Sequence, residues 1–189
     1  AGTNTLIGNN IGANNKKKAS LFVAQSIIFA IFLSILVTFF GLNVSDFLLS
    51  IMGSDQEGII LSRKYLDIIF YGTVIVLIQI SLNGALNAQG DTKSYRNVLI
   101  FSFFLNIFLN PLFIFGYGFV PAFGIAGLAI ATVVAQFIGL LYLAHKVYCC
   151  ELKQYLKLQC FIPKLNLLGE LVYQTIPVMF SMLLIGVGL

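Results

Sequence analysis

A chain of 189 residues with 59% hydrophobic and only 10% charged residues, a mean hydropathy of +0.95 and a formal net charge of +4 is far from a soluble fold, whose charged fraction averages about 25%. That balance excludes an ordinary water-soluble domain. The positive charge is not interleaved with aromatics on any soluble element, which excludes a nucleic-acid partner, so the composition describes an all-α, polytopic membrane helix bundle.

In chain order, the opening stretch AGTNTLIGNNIGANN reads as the last turns of one helix and the loop it enters. The cluster Lys16-Lys17-Lys18 follows these residues instead of preceding a short hydrophobic run, so the layout is not that of a signal peptide, and earlier helices are expected to be missing. Five apolar blocks come next, at about 19–42, 65–88, 97–119, 124–147 and from 168 to the end. Each of the first four exceeds twenty residues, enough at ~1.5 Å per residue to cross a hydrocarbon core of ~30 Å.

The connectors differ in kind. NVSDFLLSIMGSDQEG predicts a short helix after Ser45, a turn at Gly53 and a capping box of Ser54 with Glu57 that restarts the second span. AQGDTKS places Gly90 where a helix end favours a left-handed residue, with Asp91 or Thr92 to cap the next helix. In CCELKQYLKLQCFIPK, Leu152, Tyr155, Leu156 and Gln159 fall at helical spacing while Glu151, Lys153, Gln154 and Lys157 point elsewhere. This predicts an amphipathic helix along the inner membrane surface ended by Pro163, the alternative being a plain surface loop. The expected divisions are therefore 1–148, a connector over 149–166, and 167–189.

Nine of the eleven basic residues lie in alternate connectors: Lys16, Lys17, Lys18, Lys93, Arg96, Lys146, Lys153, Lys157 and Lys164. Short cytoplasmic loops are enriched in Lys and Arg, so these connectors are expected to face the cytosol. Cys149, Cys150 and Cys160 then lie on the reducing side, where disulfides are not expected. Their spacing is not that of a zinc site; they are structurally incidental or, for the adjacent pair, subject to reversible acylation.

Chemistry-bearing motifs are scarce. The sequence holds no metal-ligand cluster or nucleophile–base pair, its single His145 sits at the end of the fourth block, and IGNNIGANN lacks the lysine and hydroxyl of a phosphate loop. No enzyme and no organic cofactor are expected. What the spans do contain is uncharged polarity. Gln79, Asn83 and Asn87 recur every four residues in the second block, Asn106 and Asn110 share a face in the third, and Thr132 and Gln136 share one in the fourth. An amide left unpaired in hydrocarbon costs ~2 to 7 kcal/mol, so these faces are expected to turn towards other helices or a wet cavity. They serve either as interhelical hydrogen-bond glue or as cavity lining. Gly127, Ala131, Ala135 and Gly139 form a ridge of small residues that admits a neighbouring backbone. Pro111 cannot donate to the carbonyl of Ile107 and is expected to kink its helix, freeing an acceptor beside two amides; Pro177 is expected to kink the last block.

The motifs GNNIGANNKKKA, LNGALNAQGDTK, LNIFLNPLFIFG and GIAGLAIATVVAQ, in this order and spacing, give the chain a resemblance to the multidrug and toxic-compound extrusion (MATE) family of secondary antiporters. The likeness covers essentially the whole chain. It implies a two-lobe, twelve-helix transporter of which this chain carries the end of helix two to the start of helix seven: most of the first lobe, the inter-lobe connector, and the first span of the second lobe. It also implies export of organic, often cationic, drug-like compounds against sodium or protons, with membrane lipid and the remaining helices of the transporter as partners.

The family's first-lobe cation site combines an acid on the first helix with an Asn and an Asp on helix five and a Thr on helix six. Asn106 matches that Asn and Thr132 that Thr, whereas Asn110 stands where the family usually has Asp before Pro. An amide coordinates through its oxygen but neither titrates nor carries charge, so the resemblance implies a sodium or hydrogen-bonding site weaker in charge than the family's usual one. Gln79, Asn83, Asn87 and Gln136 are the expected cavity lining. A flippase for lipid-linked saccharides, from the same superfamily, and a non-transporting membrane scaffold are the alternatives.

Overall fold

The computed structural model describes residues 2–51, 56–118, 120–150, 155 and 158–187. These form six α-helices: α1 (Gly2–Gly12), α2 (Lys16–Ile51), α3 (Gln56–Ala88), α4 (Lys93–Phe115), α5 (Ile125–Cys149) and α6 (Leu165–Val187), with a 3-10 turn at Leu158–Phe161. Among the described residues there is no β-strand, only an isolated bridge between Tyr117 and Val120 in the turn that joins α4 to α5. Helices α2 to α5 are each long and apolar enough to cross a membrane.

Helix ends follow local chemistry. Asn14, with φ of 56°, turns the chain between α1 and α2, and the Asn15 side chain accepts from the Lys18 N–H at the start of α2. Gly90, with φ of 86°, closes α3, a conformation glycine adopts without steric cost. Asp91 then caps α4: its carboxylate accepts from the backbone N–H of Lys93 at 3.2 Å and of Ser94 at 3.0 Å, and from the Ser94 hydroxyl. The Ser94 hydroxyl first, and then its N–H, hold the Asp91 carboxyl below the usual carboxylate range.

Two features differ from the sequence expectation. No separate short helix follows Ser45, because α2 runs unbroken for 36 residues to Ile51. Arg63 on α3 pairs with Asp46 on α2 and lies 3.8 Å from Asp67, where both helices run beyond the ~20 residues a bilayer demands. The apolar third block also leaves its helix early, since α4 ends at Phe115, after which Gly116 takes φ of 74°. Gly53, Ser54, Leu152, Lys153, Leu156 and Lys157 lie outside the described residues, and with them the capping box and most of the expected amphipathic connector; the part described, Leu158–Phe161, is a 3-10 turn ahead of Pro163.

The helices resolve into two compact units. One comprises Ala1–Ala30, Ile80–Tyr95 and Leu143–Leu189. Its core is Ile7, Phe22, Val23, Ala85, Leu86, Leu143 and Leu171, each no more than 2% exposed. Here α1 packs against α6 so closely that a Cβ on Gly2 would fall 2.6 Å from the Thr175 hydroxyl. Ser81 of α3 donates to Ser26 of α2 at 2.7 Å. Gln25, fully buried on α2, donates to the carbonyls of Cys160 at 2.9 Å and Ile162 at 2.7 Å and accepts from the Lys164 N–H at 2.9 Å. A single side chain thereby ties down the segment that leads into α6.

The other unit comprises Ile31–Gln79 and Arg96–Tyr142. Thr38 of α2 donates to the Phe70 carbonyl of α3 at 2.7 Å, and Gly72 of α3 lies against Val133 of α5. Large apolar side chains such as Phe32, Phe39, Phe103 and Phe108 are 58%, 62%, 64% and 72% exposed, a surface suited to hydrocarbon and not to water. Pro111 and Pro177 both lie inside helices, α4 and α6.

Candidate functional site

The polar residues of the second unit gather where α4 meets α5. The small ridge of α5 makes the approach possible, with Gly127, Ala131, Ala135 and Gly139 all buried. A Cβ on Gly127 would stand 2.3 Å from the Phe113 carbonyl oxygen, and one on Gly139 would stand 2.5 Å from Gln79 Nε2 and 2.6 Å from Val98 Cγ1. The backbones of α4 and α5 are also joined beyond the ridge, where Phe123 and Gly124 donate to the carbonyls of Phe113 and Ile114 at 3.0 and 3.2 Å. The contacts Gly127–Phe113 and Gly139–Val98 are those of an antiparallel pair. They place Thr132, five residues beyond Gly127, level with about Phe108, between Asn106 and Asn110.

On α4, Ser102, Asn106 and Asn110 follow one another at four-residue spacing and so share a face. The Asn106 amide nitrogen donates to the Ser102 carbonyl at 2.9 Å, which turns Oδ1 away from its own helix. Asn106 Oδ1, Asn110 Oδ1 and Ser102 Oγ are each buried and bonded to no described residue. Thr132 spends its proton on the Leu128 carbonyl at 3.0 Å, which leaves its oxygen only lone pairs to offer. The strip therefore presents the buried oxygens of Asn106, Asn110 and Ser102, beside the amide N–H groups of the two asparagines and the Ser102 hydroxyl. Residues 97–144 contain no Asp, Glu, Lys, Arg or His, so these oxygens act as neutral dipoles. Such a set suits a hard monovalent cation or the donors of an organic substrate.

The other expected residues fall in separate places. Gln79, 2% exposed, donates through Nε2 to the backbone carbonyl of Gln136 at 3.2 Å, a bond that stitches α3 to α5. Asn83 and Asn87 belong to the first unit; Asn83 keeps a buried Oδ1 without a donor, and the Asn87 carbonyl accepts from Gly90 where α3 closes. A cavity of about 330 Å³ between α4 and α5 is lined by Asn97, Val98, Phe101, Ile138, Gly139 and Tyr142, none of them an expected site residue. Two polar positions carry more than their sequence signal suggested. Ser102 shares the face of the asparagines but looks like any serine in a span, and Gln25 stands alone in α2 with its partners more than 130 residues away.

Comparison with known proteins gives the family of the chain. The family model MatE matches residues 1–112. A probable multidrug resistance protein NorM of Thermotoga maritima is 34% identical over 150 residues, covering 78% of this chain and 32% of that protein. Among solved structures, a MATE in the bent conformation superposes with a TM-score of 0.83 at 28% identity over 98% of this chain and 41% of that one. The inward-facing form of a multidrug resistance MATE family transporter of the MOP superfamily gives 0.81 at 28% identity over 93% of this chain and 39% of that one. The chain spans about a third of the length of the curated relatives it matches. These relatives are transporters and not enzymes, and their names lend no support to a scaffold or saccharide flippase. Family model, relatives and fold agree: this multi-pass membrane chain belongs to the MATE family of multidrug efflux transporters and carries part of their two-lobe, twelve-helix architecture.

Proposed function

We propose that this chain works as first-lobe machinery of a secondary active exporter in the plasma (inner) membrane, expelling drug-like organic compounds against an inward flow of cations. The two lobes alternate access by rocking around a site near the middle of the bilayer. The Lys-rich connectors face the cytosol, as the bias of Lys16 to Lys18, Lys93, Lys146 and Lys164 supports.

The observation that carries the reading is the face of α4, where the oxygens of Asn106 and Asn110 are shielded yet bonded to no described residue, with Thr132 level with them on α5. Asn110 cannot titrate, so these residues favour sodium over a proton at this site. Proton coupling would need a carboxylate outside α4 and α5. Sodium is the coupling ion in this reading, held through Asn106, Asn110 and Thr132.

In the complete transporter, Asn110→Leu is expected to abolish sodium-driven efflux of a cationic dye while membrane levels stay normal; unchanged efflux rejects the site. A scaffold is separated by equilibrium binding: a hydrophobic cation should compete with sodium for a transporter, and no linkage is expected for a scaffold.

A further inference from the structure

Buried serines in the described helices obey one rule with one exception. Ser20, Ser26, Ser34 and Ser45 donate to the carbonyl three residues earlier, at 2.9, 2.8, 2.7 and 3.2 Å. Ser81 donates to Ser26, and Ser94 donates to Asp91. Ser102, 5% exposed, is the exception, its Oγ bonded to nothing among the described residues. The carbonyls of the preceding turn are within reach of any helical serine, so a hydroxyl left free is not explained by want of an acceptor. Two features surround it. Its own carbonyl anchors the Asn106 amide, and α5 closes over it where a Cβ on Gly139 would lie 3.7 Å from Oγ.

We propose that Ser102 is an oxygen ligand at a second position for the monovalent cation, shared with Asn106, which continues the strip of Asn110 and Asn106 by one turn towards the Lys93 end of α4. This rests on the reading of Asn106 and Asn110 as cation ligands. Residues four apart rise about 6 Å along a helix, so three oxygens in line make two successive positions, one between Asn110 and Asn106 and one between Asn106 and Ser102. Ser102 completes the second position, on the side from which a cation leaves for the cytosol under the orientation above. It is a neutral, hard oxygen, the type that sodium accepts and that soft or strongly charged ions do not prefer.

The test uses the purified complete transporter, titrated with sodium chloride against choline chloride. Sodium affinity is read from the sodium-dependent rise in melting temperature, which follows mass action and needs no transport. Ser102→Ala is expected to weaken sodium binding about tenfold, with the melting temperature in choline unchanged or slightly raised, because the hydroxyl has no bond to a described residue to lose. Ser102→Thr, which keeps the hydroxyl, is expected to restore affinity, and Ser102→Cys, which substitutes a soft sulfur, is not. Wild-type sodium affinity in Ser102→Ala overturns the assignment, as does a lowered melting temperature in choline, which would mark a structural hydroxyl. Asn110→Leu separates the two claims: if it abolishes sodium binding and Ser102→Ala does not, only the role of Ser102 fails, whereas sodium binding intact in Asn110→Leu removes the site on which that role depends.

Discussion

Gln25 and Asn106 are both amides on apolar helices, and the fold uses them in opposite ways. Gln25 gives its nitrogen to two carbonyls and its oxygen to one N–H, all within the chain. Asn106 uses its nitrogen on its own helix, and its oxygen, like Asn110 Oδ1 and Ser102 Oγ, is buried with no partner among the described residues. The contrast separates two purposes of buried polarity. A group whose donors and acceptors are matched inside the chain holds segments in place. An oxygen sheltered from lipid but left unmatched is available to something that comes and goes.

Substitutions can break or sharpen this contrast. Gln25→Leu should have the largest effect on stability, because it leaves the Cys160 and Ile162 carbonyls and the Lys164 N–H unpaired at ~1 to 3 kcal/mol each. We expect a loss of about 3 kcal/mol or more, seen as a lower melting temperature in detergent; an unaltered melt would show that the amide does not anchor the connector. Next comes Gly127→Ala, whose methyl would meet the Phe113 carbonyl at 2.3 Å, a contact with backbone that no rotamer relieves. Pushing α4 from α5 should cost about 1 to 3 kcal/mol and disturb the level of Thr132 against α4.

Asp91→Ala removes the α4 cap, and a loss of about 1 kcal/mol is expected at neutral pH. The folded carboxyl titrates below its unfolded value, so its contribution is full above that unfolded value and disappears as pH falls through the lowered folded one. Melts of the wild type and the variant should therefore differ at pH 7 and converge only once the pH falls below the lowered folded value; a gap that persists in stronger acid rejects the carboxylate as the cause. The smallest stability effect is reserved for Asn110→Leu, within about 0.5 kcal/mol, because Oδ1 has no bond to any described residue to lose. A large destabilisation there would move Asn110 into the class of Gln25.

Much of the architecture is legible from local pattern, and the reasons are physical. Hydrocarbon demands long apolar runs, so the spans announce themselves by length and hydropathy. Gly90 and Asp91 are legible because helix-end chemistry involves residues two or three apart. The far ends of α2 and α3 are not, since the Arg63–Asp46 pair that joins them there lies seventeen residues apart in sequence. The asparagines of α4 are conspicuous because amides are costly in a span, and the four motifs pointed to the family the comparisons support. Ser102 is invisible to the same reasoning: a helical serine ordinarily satisfies itself, and only the fold reveals one that does not.

The Gln25 clamp also has a consequence for how the protein is made. Its three partners lie 135 to 139 residues later in the chain. At ~5 to 20 residues per second, synthesis from the N-terminus delivers them roughly 7 to 27 seconds after Gln25 itself. Over that interval the amide has no partner from residues 160–164, and it must be served by water at the membrane boundary or by the insertion machinery. The bonds that hold the segment leading into α6 can therefore form only after nearly all of the described chain has been made.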